Sequence, residues 1–381
     1  MRHRHPCQCI VPPHILESIA QRGTTRQQEI ARASIAASDE IRQERQIVLR
    51  RAMPAAQPGA KERAVYTANF GTGLPGQRVR GEGDPPSGDA AVDEAYDGSG
   101  DTYDLYQQVY GRSSIDGNNM RLDSTVHYRR GYDNAFWNGQ QMIYGDGDED
   151  LPVDERLFNR FTKSLDVIGH ELTHGVTQYT ANLEYQDQAG ALNEHFSDVF
   201  GSLVRQWKLG QTADQADWLI GADLLTANVN GAGIRSMKAP GTAYDDPVLG
   251  KDPQPGHMDD YVSTSQDNGG VHINSGIPNR AFYVVATELG GHAWEKAGLV
   301  WYRTLTDGQL GTQAGFQVAA DRTVAVAGDI YGADSPEQTA VRNGWEVVGV
   351  TVSDEIPTPE PPLPPPQNGC LLAILTLGLY R

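Results

Sequence analysis

Residues 166–176 read Asp166-Val167-Ile168-Gly169-His170-Glu171-Leu172-Thr173-His174-Gly175-Val176. Histidines four apart share one face of a helix. Val167, Ile168, Leu172 and Val176 make the rest of that helix apolar, so it should be buried, where two unpaired imidazoles would be costly. Imidazoles at this spacing can instead grip one zinc, at roughly 2.0–2.1 Å each. Glu171, one step round from His170, lies beside such a metal rather than on it. There its carboxylate can take a proton from a water that the metal activates. The plainer alternative is an ordinary helix with two satisfied histidines.

A catalytic zinc takes three protein ligands and keeps one position open. Gly190-Ala191-Leu192-Asn193-Glu194-His195-Phe196-Ser197-Asp198 offers the third on a second helix. Glu194 completes a His₂Glu set, and Asp198, one turn further on, can accept the other ring N–H of His170 and fix its tautomer. His195 is the alternative ligand; it faces away from Asp198's side of the helix and is read as structural.

The 381 residues are enough for two ordinary domains, and 39% hydrophobic with 21% charged residues fits a soluble globular protein. A net charge of −18 argues against nucleic acid as a partner, because phosphate attraction needs basic stripes. No run is long enough to span a bilayer. The charge is unevenly spread. Residues 1–51 carry nine Arg against five acids, which leaves −22 on the remainder. A basic leader on an acidic body suggests a docking segment. Cys7, Cys9 and Cys370 are all terminal, so no disulfide framework holds the body. One of Cys7 and Cys9 could ligate zinc in a latent form, with a free thiol as the plainer reading. The N-terminus lacks the apolar stretch of an ordinary signal peptide, so the expected location is cytoplasmic, or outside by a non-standard route.

Five segments follow from composition and periodicity. Residues 1–52 form a leader, helical over 14–51, and 53–62 a linker broken by prolines. Residues 63–178 should hold a β-rich lobe ending in the zinc helix, with turn signals at Tyr96-Asp97-Gly98-Ser99-Gly100 and Tyr144-Gly145-Asp146-Gly147-Asp148. Residues 179–350 should be mainly helical. Helical patterns stand out at Leu165–Thr180, Asn193–Trp207, Ile273–Leu289 and Trp294–Leu305. Residues 351–381 are a proline-rich spacer with a short apolar tail. Leader, linker and body together have the layout of a zymogen.

The residues around both helices resemble the thermolysin-like family of metalloproteases over about residues 65–350. Asn134-Ala135-Phe136-Trp137-Asn138-Gly139 is similar to the family's substrate-binding edge strand. Asp267-Asn268-Gly269-Gly270-Val271-His272-Ile273-Asn274-Ser275-Gly276 is similar to the segment with its transition-state histidine. Ile234-Arg235-Ser236-Met237 resembles the stretch with its carbonyl-binding arginine, and Tyr185 its oxyanion tyrosine. The resemblance implies an α+β, two-lobed thermolysin-like (gluzincin) fold, β-rich first and helical second, with the zinc helix between the lobes. It implies a neutral endopeptidase acting on peptide or protein substrates. Asn134 and Ala135 would hold the substrate backbone, Glu171 would move the proton, and His272 and Tyr185 would bind the oxyanion. Asp267 would orient His272, and Arg235 would grip a carbonyl beyond the cut. Phe158, Phe161, Val167 and Ile234 would line a pocket selecting a hydrophobic residue just after the scissile bond. The competing reading is a catalytically silent zinc-binding module or a permanently latent precursor; neither Glu171, His272 nor Tyr185 is lost, as that reading would suggest.

Two features depart from long family members. Their double calcium site needs several carboxylates, whereas the matching positions here keep Asp166 and Asp217 but include Arg205, Leu219 and Ala222. That site is expected to be absent, with Arg205 paired to Asp166 or Asp217. The acids of Asp146–Asp150 could bind one calcium or merely form an acidic turn. Cys9-Ile10-Val11-Pro12-Pro13-His14-Ile15-Leu16 and Gln254–Tyr261 resemble the protealysin-like branch, which implies a leader of about fifty residues that blocks the cleft as an intramolecular inhibitor until a cut within 50–62.

Overall fold

Gly169 and Gly201 decide how the two functional helices meet. The structure, a computed structural model, describes residues 8–48 and 60–353. In it α4 (Leu165–Gln178) crosses α5 (Asp187–Leu209) almost backbone to backbone. A Cβ on Gly169 would lie 3.1 Å from the Cα of Gly201, and one on Gly201 would run into the carbonyl of Asp166. Without side chains at that crossing, His170 and His174 come level with Glu194 and Asp198. Residues 166–177 of α4 are all buried, as the apolar residues flanking the histidines require.

A six-stranded sheet backs α4. Its order is β1 (Gln8–Cys9), β5 (Ala135–Trp137), β6 (Met142–Tyr144), β4 (Leu122–Val126), β2 (Arg63–Thr67), β3 (Gln77–Gly81). The β6–β4 and β4–β2 pairs are parallel and the others antiparallel. The edge strand β1 belongs to the leader, so the leader covers the β5 edge that would otherwise present unpaired backbone groups. Beyond α5 the chain is mainly helical. A pair of two-residue strands, β7 (Leu219–Ile220) and β8 (Arg235–Ser236), is followed by α6 (Asp267–Asn274), α7 (Gly276–Leu289), α8 (Ala297–Thr306), α9 (Phe316–Tyr331) and α10 (Pro336–Val347). Trp301 and Trp345 stack at 6.4 Å within this lobe. The two-lobed α+β architecture expected from the sequence is the one observed.

Several local readings need correction. The sequence marks Tyr96–Gly100 as a turn, but it lies inside α3 (Ala90–Tyr110), a 21-residue helix within the lobe read as mainly β. These glycines are there for close approach. A Cβ on Gly98 would lie 2.5 Å from Ile168 Cδ1, on the zinc helix. Asp89 caps α3 by accepting from the Ala91 and Val92 amides, and Gly111 ends it at φ 68°. The leader's single helical stretch is in fact two helices, α1 (Pro13–Arg22) and α2 (Thr25–Val48), broken at Gly23. The sequence reading did not single out α9 and α10; the many alanines facing inward, such as Ala319, Ala320 and Ala327, blur the apolar period.

Among the described residues, the leader docks through backbone pairing and apolar side chains. Ile10, Val11, Ile15, Leu16 and Ile19 are all buried in the main core. An ion pair between leader and body runs against the expected polarity, with acidic Glu40 on the leader and Arg129 on the body, 2.6 Å apart. Leu49, Cys7, residues 53–59 of the linker and the tail containing Cys370 lie outside the described residues.

Candidate metal centre and active-site cleft

His170, His174 and Glu194 are fully buried and bring one ligand atom each to within 4.8 Å of the others. His170 Nδ1 lies 2.8 Å from Asp198 Oδ1, and His174 Nδ1 lies 2.8 Å from Asn193 Oδ1 and 2.9 Å from Ser197 Oγ. A carboxylate and an amide carbonyl accept from those nitrogens, so both rings carry their proton on Nδ1. Their Nε2 lone pairs then face each other at 3.1 Å. Glu194 Oε2 is buried there without a hydrogen-bond partner, 3.5 Å from His170 Nε2. Two lone pairs and an anionic oxygen converging in a dry spot repel one another unless a cation sits between them. The donor set therefore fits zinc, with N and O ligands and a fixed set of outer partners. The Cys9 thiol is not part of this group.

Asn193 and Ser197 are the partners that sequence reading missed. Four residues apart, they share a face of α5 that adjoins Glu194, and that spacing was the available signal. His195 is settled as structural. Its Nδ1 meets Asn279 Oδ1 at 2.8 Å, its Nε2 accepts from Trp301 Nε1 at 2.7 Å, and burial lowers its pKa to about 4, so it stays neutral.

Glu171 sits beside the group, fully buried. Its Oε2 accepts from the Trp137 amide at 2.9 Å, and its Oε1 has no partner. Burial, and after it Cys9 and Glu194, pushes this carboxyl well above the ordinary range. Tyr185 donates to Glu194 Oε1 and lies 3.2 Å from His272 Nε2. Asp267 holds His272 twice, through Nδ1 at 2.6 Å and the backbone amide at 2.9 Å. Burial works against charge on His272, but Asp267 and then Glu194 outweigh it and raise the pKa to about 9. Arg235 is anchored on Asp198 by Nε at 2.8 Å and Nη2 at 2.7 Å. That fork-on-carboxylate geometry was not foreseen; the sequence reading gave each residue a separate role.

The cleft is filled by the leader. Ile10 N donates to Ala135 O at 3.2 Å, and Val11 N donates to Asn134 Oδ1 at 3.0 Å. Arg235 Nη1 donates to Ile10 O at 3.0 Å. Phe158, Phe161, Val167 and Ile234 are buried in the same apolar cluster as Ile10.

Known proteins share this arrangement. Residues 61–178 match the model described as "Thermolysin metallopeptidase, catalytic domain", and residues 181–350 match "Thermolysin metallopeptidase, alpha-helical domain". The chain belongs to the thermolysin metallopeptidase family. An extracellular metalloprotease of Pectobacterium carotovorum subsp. carotovorum is 49% identical over 361 residues, covering 93% of this chain and 99% of the relative. The protease PrtS of Photorhabdus sp. (strain Az29) is 52% identical over 295 residues, 77% of each chain. Among solved structures, the precursor of protealysin from Serratia proteamaculans matches with TM-score 0.81 and 50% identity, over 90% of this chain and 100% of that one. This family member is a zinc-dependent metalloendopeptidase in the form of a zymogen. No helix among the described residues is long and apolar enough to cross a membrane.

The carboxylates near Arg205 have other partners. Arg205 Nη1 bonds Asp217 at 2.9 Å and its Nη2 lies 3.6 Å from Asp223. Asp166 accepts from Ser164 Oγ and the Gly221 amide. In the Asp146–Asp150 run, Asp146 meets His127 at 2.8 Å, Asp148 accepts the Leu157 and Phe158 amides, and Glu149 meets Arg160 at 2.8 Å.

Proposed function

We propose that His170, His174 and Glu194 hold the zinc and that Glu171 is the proton carrier for hydrolysis of peptide bonds preceding a hydrophobic residue. The observation that carries this is Glu171 Oε1, buried and unpartnered beside the three converging ligand atoms. Bound zinc supplies Lewis acidity toward the carbonyl and toward a water. Glu171 accepts the water proton on Oε1, while the Trp137 amide fixes its other oxygen, and later delivers the proton to the leaving amine. His272, kept charged by Asp267, donates to the carbonyl oxygen as it gains charge, and Tyr185 is the second donor. Arg235, immobilised on Asp198, holds the next carbonyl; the Ala135 carbonyl accepts the amide just before it and Asn134 Oδ1 the amide just after. Phe158, Phe161, Val167 and Ile234 form the pocket for the residue after the cut, and buried apolar Ile10 of the leader agrees with that preference. Residues 1–52 are the inhibitory leader, and activation follows a cut in the linker. The enzyme acts outside the cell, as the name of the Pectobacterium relative suggests.

Casein hydrolysis by leader-free protein is expected to stop on treatment with a zinc chelator and to return on adding zinc back. Proteolysis that persists through complete removal of the metal would overturn the reading.

The double calcium site is proposed absent, because Arg205 supplies the positive charge that calcium would bring. The urea midpoint at constant zinc occupancy should not move on adding calcium. A large calcium-specific rise would sink the proposal.

Acid should loosen the leader. His14 Nε2 lies 2.9 Å from Tyr244 Oη, while its buried Nδ1 has no partner. Burial lowers its pKa from 6.5 to about 4, opposed by Asp267 and assisted by His272 and Arg235. A histidine depressed on docking contributes stability that is fully present above pH 6.5. That stability is lost as pH falls toward 4, by at most ~3 kcal/mol. Limited proteolysis of the Glu171→Gln precursor in urea should find undocking easier at pH 4.5 than at 7.5. His14→Gln should flatten that difference; an unchanged pH response in the variant counts against His14.

A further inference from the structure

Three consecutive leader residues take up, in order, the groups that the cleft offers a peptide. His272 Nε2 lies 2.9 Å from the carbonyl oxygen of Cys9. Ala135 accepts the Ile10 amide, and Arg235 donates to the Ile10 carbonyl. Asn134 accepts the Val11 amide through Oδ1, and its Nδ2 lies 3.4 Å from the Val11 carbonyl. The strand direction is fixed by antiparallel pairing, with Gln8 opposite Trp137 and Cys9 opposite Phe136. His272 is the donor assigned to the carbonyl under attack, and Arg235 the donor assigned to the next carbonyl. A shift of one residue would turn each carbonyl to the opposite edge of the strand, away from both donors.

We propose that the Cys9–Ile10 peptide bond is a processing site: the leader lies in the cleft in the direction and register of a substrate, and the protein hydrolyses that bond in itself before the leader is released. This rests on the roles given above to His272, Arg235 and Glu171. Water adds across the bond, the C–N bond breaks, Cys9 gains the carboxylate and Ile10 the amine. Glu171 carries the proton between them, and nothing is oxidised or reduced.

The two products are held very differently. Among the described residues, the upstream one is Gln8 and Cys9, held by the two pairs of β1, by His272 at the Cys9 carbonyl and by the small apolar cluster around Cys9. Downstream of the cut, α1 remains tied down by buried Ile15, Leu16 and Ile19 and by the Ser18 hydroxyl, which donates to Val248 O at 2.7 Å. The downstream half therefore stays in the cleft. The product is a nicked but still closed precursor, distinct from the enzyme freed by a cut in the linker.

Full-length precursor, stripped of metal and then given zinc, is followed by intact-mass spectrometry alongside casein hydrolysis. A chain beginning at Ile10 is expected first, at a rate independent of protein concentration and ahead of casein hydrolysis. Ile10→Leu should keep that product, and Ile10→Asp should slow its formation by about tenfold or more. In the uncut Glu171→Gln precursor, hydrogen exchange should find the Ile10 and Val11 amides protected, and adding Ile10→Asp should remove the protection. A precursor that matures without ever showing the Ile10 terminus, or that is first cut elsewhere between residues 8 and 16, overturns the register. Leader-free protein with zinc bound and no casein hydrolysis overturns the functional reading instead, and the two failures are separable.

Discussion

Replacing Glu171 with Gln is expected to lower casein hydrolysis by ~10²–10⁴-fold, while zinc content and fold stay intact. The argument is geometric. Glu171 is buried, its Oε2 is fixed by the Trp137 amide, and its Oε1 faces the metal group without a partner. A glutamine keeps an acceptor for Trp137, so the strand β5 loses nothing, but it cannot take a proton from water. The Ala variant should be equally inactive and somewhat less stable, because the Trp137 amide is then buried without an acceptor, at a cost of ~1–3 kcal/mol. By contrast, His174→Ala should lose the metal itself. Zinc-to-protein ratio and casein turnover, measured on the same preparations, separate these cases. Appreciable turnover by zinc-loaded Glu171→Gln would mean that another group carries the proton, and the role of Glu171 would have to be abandoned.

Much of the site was legible because its chemistry is written in short spacings. His170 and His174 lie on one helical turn, and Glu194 and Asp198 on one turn of the next helix, so side-chain direction follows from period alone. The crossing that brings the two turns together depends on Gly169 and Gly201, and no local pattern says which glycines permit close approach and which make turns. Gly98 misled for that reason, sitting against Ile168 in the middle of a helix. Charge asymmetry pointed to docking, but most of the leader's arginine side chains lie outside the described residues. The leader is held by the edge of β5 and by apolar side chains, and its β1 is too short to read from sequence. The double use of Arg235, on Asp198 and on the Ile10 carbonyl, joins positions 37 and 225 residues apart. Pairings of that range belong to the tertiary fold and leave no trace in spacing.

Asp198 is where stability and metal binding meet, so Asp198→Ala should damage both. One buried carboxylate takes two hydrogen bonds from Arg235, one from His170 Nδ1 at 2.8 Å and one from Asn279 Nδ2 at 2.9 Å. Burial opposes its charge, but Arg235 and His170 outweigh that and hold the carboxyl well below the ordinary range. Removing it strands a guanidinium that is 1% exposed. Breaking a buried pair from one side costs about 3–5 kcal/mol. His170 also loses the acceptor that fixes its tautomer, which should weaken zinc binding by ~10–100-fold. A carboxylate depressed on folding contributes stability above its unfolded value and loses it only as pH falls through the lower, folded one. The loss in the variant should therefore be constant from pH 5 to 9, unlike the acid-dependent effect of His14. Asp198→Asn keeps the shape and one acceptor oxygen, though its NH2 then faces donors, and should fall between wild type and Ala in stability, with zinc affinity still reduced. Urea unfolding of metal-free Glu171→Gln precursors and chelator competition on the zinc-loaded ones measure the two effects separately. If zinc affinity falls while stability does not, Arg235 has found another counter-ion, and Asp198 acts on the metal alone. If neither falls, the fork between Arg235 and Asp198 is not what positions the arginine, and its grip on the Ile10 carbonyl must come from the strand β8 itself.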